Sequence, residues 1–290
     1  MIIFHELLIG SVSDAQDDDV LSRGANPCPR CLRASSTKQE NSVEPVGLNT
    51  LLLRIEGLSS VEASVMMCGM EPFRHPSLVS IVQALAAAKV RRVGMRTDAA
   101  ALANPRDAQG CVGNGVRMFE IPFLPREMDS INQGAPFDVR LAGIQGIRAA
   151  ATQLGLNVFV CADIFICKHT APYFVTVMQA AIVAGVDAIR ISFAEADPAS
   201  LVTLLGGDSI LDSAHSLAVQ NSVAFFVVGD ESFAGRYLQG AQLYQTITAV
   251  ETASSNGTTF PGRSGKSGKD AKSDKVVGSE KTSRVGENRD

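Results

Sequence analysis

The chain predicts an α/β fold built on parallel strands, and three observations carry that expectation. From about residue 48 onward, apolar runs of strand length alternate with longer helix-like stretches. The strand-like runs are rich in Val, Ile and Phe and lack a clean polar alternation, which suits parallel strands covered on both faces. The 290 residues are 46% hydrophobic, enough apolar matter to bury a sizeable core in one large domain or two ordinary ones.

Each element follows from its own stretch. "MIIFHELLIG" reads as a first strand, with His5 and Glu6 interrupting its apolar run. It has no basic segment and leads into acidic Asp17-Asp18-Asp19, so it does not read as a signal peptide. "GLNTLLLRIEGL" predicts a helix, "EASVMMCG" a strand, "HPSLVSIVQALAAAKV" a helix with Pro76 in its first turn, and "RRVGMRT" a strand. The alternation continues through "VRMFEIPFL" (strand), "DVRLAGIQGIRAAATQLGL" (helix), "NVFVCADIFIC" (strand), "APYFVTVMQAAIVAGV" (helix) and "DAIRISFA" (strand). A mostly helical stretch around Gly206 and Gly207 and the strand "SVAFFVVGD" close the series. About seven strands with helices between most of them fit a complete or partial barrel, or an open doubly wound sheet.

In either architecture ligands gather at the carboxyl ends of the strands. That rule singles out Cys68 to Pro72, Thr97 and Asp98, Phe123 to Pro125, Asp163, Ser192 to Glu195, and Gly229 with Asp230. Residues 254–290 are dominated by Ser, Gly, Lys, Arg, Asp and Glu and have three valines as almost their sole aliphatics, too little apolar surface to offset the entropy of ordering. The expected organisation is a domain over 1–253 and a disordered polar tail over 254–290.

The formal net charge of −4 gives no basic field for nucleic acid or an anionic membrane. No run approaches the roughly 18 apolar residues of a membrane-spanning helix, so neither partner is expected and a cytoplasmic protein is. The six cysteines are Cys28, Cys31, Cys68, Cys111, Cys161 and Cys167, and in a reducing compartment metal binding, catalysis or burial explains them better than disulfides. Cys161 and Cys167, six apart on one predicted strand, are expected on one face and packed. His75 reads as a helix-start residue, not a ligand. Glu195 and Asp197 fall on the expected rim, where Asp197 reads as a helix cap ahead of Pro198.

Cys28 and Cys31 form a Cys-x-x-Cys pair, the spacing at which two thiolates grip one metal or cluster face. Together with Gly69-Met70-Glu71-Pro72 some forty residues later, "GMEPFRHPSLVSIVQAL" and "GMRTDAAAL", the pair resembles the radical S-adenosylmethionine superfamily. The resemblance spans roughly Ile2 to Asp230. It implies a partial (β/α)6 TIM-type barrel and a 4Fe–4S cluster held by a Cys-x3-Cys-x2-Cys loop. It also implies S-adenosylmethionine bound near a Gly-Gly-Glu-Pro strand tip and cleaved by the reduced cluster to a 5′-deoxyadenosyl radical. It assigns Cys28 and Cys31 to the cluster and Gly69, Met70, Glu71, Pro72, Thr97 and Asp98 to the cofactor, with a peptide or small molecule as substrate.

The chain departs from that pattern at several positions. Gly24 stands where the first cluster cysteine belongs, Arg30 where an aromatic is usual, Met70 where the second glycine is, and Asp98 where asparagine is common. Cys68, beside Gly69, is a candidate third ligand, although burial is the blander account of it. Two further readings stand beside an enzyme: a degenerate barrel that binds or scaffolds without radical chemistry, and an α/β ligand-binding domain whose Cys-x-x-Cys pair holds zinc or nothing.

Overall fold

The computed structural model describes residues 2–11, 44–59, 64–129, 134–167, 169–193, 208–228 and 244–248. In chain order these form strands β1 (Ile2–Leu8), β2 (Gly10–Ser11) and β3 (Glu44–Pro45), helix α1 (Leu48–Ser59), β4 (Ser64–Cys68), α2 (Leu78–Ala87), β5 (Arg92–Arg96) and α3 (Pro105–Gly113). There follow β6 (Val116–Phe123), α4 (Phe137–Leu154), β7 (Phe159–Ile166), α5 (Phe174–Ala184), β8 (Ala188–Phe193), α6 (Asp208–Gln220), β9 (Ala224–Val228) and β10 (Tyr244–Thr248).

Eight strands make one sheet in the order β10-β1-β4-β5-β6-β7-β8-β9. Every pairing in it is parallel. β2 and β3 form a separate antiparallel pair. No pairing among the described residues joins β9 to β10, so the sheet curls without closing, as a partial TIM-type barrel does.

Burial settles the choice between barrel and doubly wound sheet. One large cluster contains one face of the strands (Leu7, Val65, Met95, Phe119, Ile164, Ile191) together with residues of all six described helices, among them Leu51, Ile81, Val112, Ile147, Val177 and Leu211. The opposite face has its own small cluster of Phe4, Met66, Met118, Cys161, Ala188 and Phe226, all on strands. The described helices therefore cover a single face, and the other lines a lumen. A doubly wound sheet would need helices on both.

The expected elements recur with three differences. α3 was not among them: "PRDAQGCVG" is polar on most of its surface and buries only Ala108 and Val112. Its start is nevertheless well marked, since Asn104 caps the Arg106 amide and Pro105 opens the first turn. β10 was also unforeseen, and it raises the sheet from about seven strands to eight. The stretch at His75 becomes a short 3-10 turn over Pro72–Arg74 and then α2 from Leu78.

Two features bear on the strand tips. Gly69 has φ 95, and a Cβ there would stand 3.0 Å from the Gly10 carbonyl oxygen, so the β4 tip turns only as glycine. On α4, a Cβ at Gly143 would lie 2.2 Å from the Ala99 carbonyl oxygen and one at Gly146 2.0 Å from that of Leu102. These two glycines let α4 press its backbone onto the loop after β5. No helix among the described residues is long and apolar enough to cross a membrane.

Candidate functional site

Parallel strands bring their carboxyl ends to one rim, and there the structure joins Gly69, Met70, Glu71 and Pro72 with Thr97 and Asp98. The Glu71 carboxylate accepts from the Thr97 hydroxyl at 2.7 Å, the Asp98 amide at 2.7 Å and the Phe73 amide at 3.4 Å. It caps the Pro72–Arg74 turn and ties the β4 tip to the β5 tip in one step. Burial, then the Asp98 charge, push the Glu71 carboxyl up to about 7 against those three donors.

Asp98 is equally occupied. Its oxygens accept from the Ala100 amide at 2.9 Å and the Ala135 amide at 3.2 Å, linking the β5 loop to the approach of α4. The next residue, Ala99, holds φ 62, a left-handed conformation that costs a side-chain-bearing residue about 1–2 kcal/mol. Arg140 is 3% exposed. It donates to the Ala135 carbonyl at 2.8 Å and to that of Pro122. Burial lowers its pKa while Asp98, Asp129 and Glu71 oppose the fall. Both motif carboxylates thus accept hydrogen bonds from within the protein.

Below the rim, inside the lumen, lies a layer of charge that the sequence reading did not single out. Arg96 donates from Nε to Glu120 Oε1 at 2.5 Å, and Arg190 from Nη1 to Glu120 Oε2 at 2.8 Å. Arg190 also stands 3.9 Å from Asp163, which accepts from the Ser192 hydroxyl at 3.2 Å. Glu6 lies 3.6 Å from Arg96. Glu120 is fully buried, with each carboxylate oxygen on a different guanidinium. The lumen thus has an apolar floor, Phe4 to Phe226, and a charged layer above it.

Asp163, expected at a strand tip, sits inside β7, three residues before its end, and belongs to this layer. Cys161 and Cys167 are both buried, as expected, in separate clusters. Cys161 is in the lumen cluster. Cys167, just past the end of β7, packs with Met128 and with Phe165, which alternation places on the same face of β7 as Cys161. His75 is structural: the Ser77 amide donates to its Nδ1 at 3.1 Å, which places the proton on Nε2, 3.1 Å from the Val46 carbonyl.

Cys68 is 2% exposed. Burial first, then Glu6 and Glu120, push its thiol up to about 12 against the pull of Arg96. A metal at Cys68 must displace that proton. Cys28 and Cys31 lie outside the described residues, as do Gly24, Glu195, Asp197, Gly229 and Asp230. Among the described residues no three His, Cys, Asp or Glu side chains come together to hold a metal ion. The described donor set therefore does not by itself complete a cluster site.

No protein-family model and no curated protein matches the chain. Solved structures do. SuiB of Streptococcus suis bound to its precursor peptide SuiA superposes with a TM-score of 0.55 at 12% identity, over 80% of this chain and 50% of that one. Methylornithine synthase (PylB) superposes at 0.51 and 10% identity over 86% and 72%. The enzyme anSMEcpe with bound AdoMet superposes at 0.51 and 12% identity over 76% and 63%. These neighbours are radical S-adenosylmethionine enzymes, and the chain has their barrel fold. It spans about half the length of the SuiB chains it matches.

Proposed function

We propose that the chain is a radical S-adenosylmethionine-type barrel protein that binds S-adenosylmethionine at the β4 and β5 tips and takes a peptide or small molecule over the charged layer of the lumen. In this reading Cys28 and Cys31 are two of the ligands of a 4Fe–4S cluster. The observation that carries it is the convergence, on a barrel of that fold, of Gly69, Met70, Glu71, Pro72, Thr97 and Asp98 at one rim above a lumen that holds five charged side chains. Two neighbours support the ligand classes: anSMEcpe was solved with AdoMet and SuiB with a precursor peptide. A reduced cluster, when bound, supplies the electron that cleaves the sulfonium of S-adenosylmethionine. The chain's own part is to hold the rim rigid through Glu71 and to present Glu6 and Arg96 toward the substrate.

A specific pair of residues favours a second reading, a barrel that binds without radical chemistry. Gly24 offers no ligand, and Cys68 carries a proton held by burial. Anaerobic reconstitution with iron and sulfide, followed by iron counting and electron paramagnetic resonance, separates the two. The enzyme reading expects about four irons per chain and a reduced-state signal. With Cys68 as third ligand, Cys68→Ala loses most of the iron and Gly24→Cys restores it in that background. A chain that takes up no iron and stays folded with Cys28 and Cys31 both replaced by serine is a binding module.

A further inference from the structure

We propose that Glu6 is the anchor for a primary ammonium group on the ligand that the lumen takes, an inference that rests on the lumen being the ligand's side of the barrel. Among the described residues the charged layer contains three carboxylates, Glu6, Glu120 and Asp163, and two guanidiniums, Arg96 and Arg190. These five side chains together carry one negative charge in surplus. The positions identify which carboxylate carries it.

Glu120 has each oxygen on a different arginine. Asp163 has the Ser192 hydroxyl and a guanidinium at 3.9 Å. Glu6 has only Arg96 Nη2 at 3.6 Å, beyond hydrogen-bond reach, and accepts no hydrogen bond among the described residues. A carboxylate drawn this far out of water without a donor is costly. The Glu6 side chain is 16% exposed, against 0% for Glu120 and 1% for Asp163, so it is the carboxylate of the layer that an incoming group reaches.

An ammonium at Glu6 supplies the missing donor and neutralises the surplus in one contact, and attraction at such a site is stronger than in water. A ligand anion at Arg96 would instead meet a layer already negative, beside a guanidinium already facing two carboxylates.

The experiment is calorimetric titration of the full chain with n-butylammonium chloride and, separately, with sodium butyrate at matched ionic strength. Wild type is expected to bind butylammonium and not butyrate. Glu6→Gln is expected to weaken butylammonium binding at least tenfold, while Glu6→Asp, which restores the charge, stays within a few fold of wild type. Thermal melts of each variant check that it is folded. If Glu6→Gln does not fold, wild type and Glu6→Asp alone decide. Equal or tighter binding of butyrate, no binding of butylammonium by wild type, or a folded Glu6→Gln variant with unchanged affinity overturns the proposal. S-adenosylmethionine is titrated into the same samples. Binding of that compound without butylammonium sinks the amine anchor alone, and binding of butylammonium without it sinks the reading of the rim.

Discussion

Glu71 is the residue whose environment most changes its chemistry. Its folded-state pKa, raised from 4.5 to about 7 by burial and by Asp98, means that the folded chain keeps a proton that the unfolded chain has already released. The stability tied to the neutral form is fully present below about pH 4.5 and is lost as pH rises through about 7. Glu71→Gln, permanently neutral, removes this dependence. Thermal midpoints measured across that window should fall by several degrees for wild type relative to the variant. The variant should also be less stable overall at low pH by about 1–3 kcal/mol, because the Asp98 amide then faces an amide nitrogen or no acceptor. Equal slopes for both proteins would show that another group titrates there. Glu120 is the second decisive residue. Glu120→Ala leaves Arg96 and Arg190 without their shared carboxylate, and chemical denaturation should show a loss of about 3–5 kcal/mol. These lumen charges were legible in principle: Glu120 in "VRMFEIPFL" and Arg190 in "DAIRISFA" are charges inside strands that must be covered on both faces, and such charges are rarely buried unpaired.

Among the elements, α4 is distinguished by how close it comes to the loop after β5. A methyl at Gly143 would overlap the Ala99 carbonyl at 2.2 Å, and neither backbone can yield without shifting Thr97 and Asp98. Gly143→Ala should therefore destabilise by about 3 kcal/mol. It should also loosen the rim, read as faster hydrogen exchange at the Asp98 and Ala100 amides. Gly110→Ala in α3 is the contrast. Nothing lies within 4 Å of its added Cβ, and the better helix propensity should stabilise by about 1 kcal/mol, a rise of about 2–4 °C at this chain size. Both glycines sit in helical sequence and look alike there. Their difference arises from how closely the facing backbone approaches, which local sequence does not encode.

At the level of the molecule, β10 occupies an edge that the periodic pattern did not anticipate. It pairs in parallel with β1 from Ile2↔Tyr244 to Glu6↔Thr248, so it covers the strand that carries Glu6. A chain ending at residue 243 should expose the β1 edge, lose several degrees of thermal midpoint and associate, as uncovered edges do. A chain ending at Ala253 should melt within about 1–2 °C of the full chain, since residues 254–290 hold too little apolar surface to contribute a core. A large loss in the second case would show that the tail packs on the barrel.

The parallel α/β class, the order of most strands and helices, and the rim formed by Gly69–Pro72 with Thr97 and Asp98 were set by the sequence alone. Strand and helix periods, glycine at a strand tip and proline after it are local features, and parallel strands send every tip to the same rim. Tertiary structure alone decided that the six described helices lie on one face and that Asp163 is a lumen residue. It also showed that Glu6, Arg96, Glu120 and Arg190, far apart in the chain, meet in one layer. The reason is that a charge on a strand can point to helix or to lumen with equal local preference, and only the curl of the sheet and the pairing of strands distant in sequence determine which.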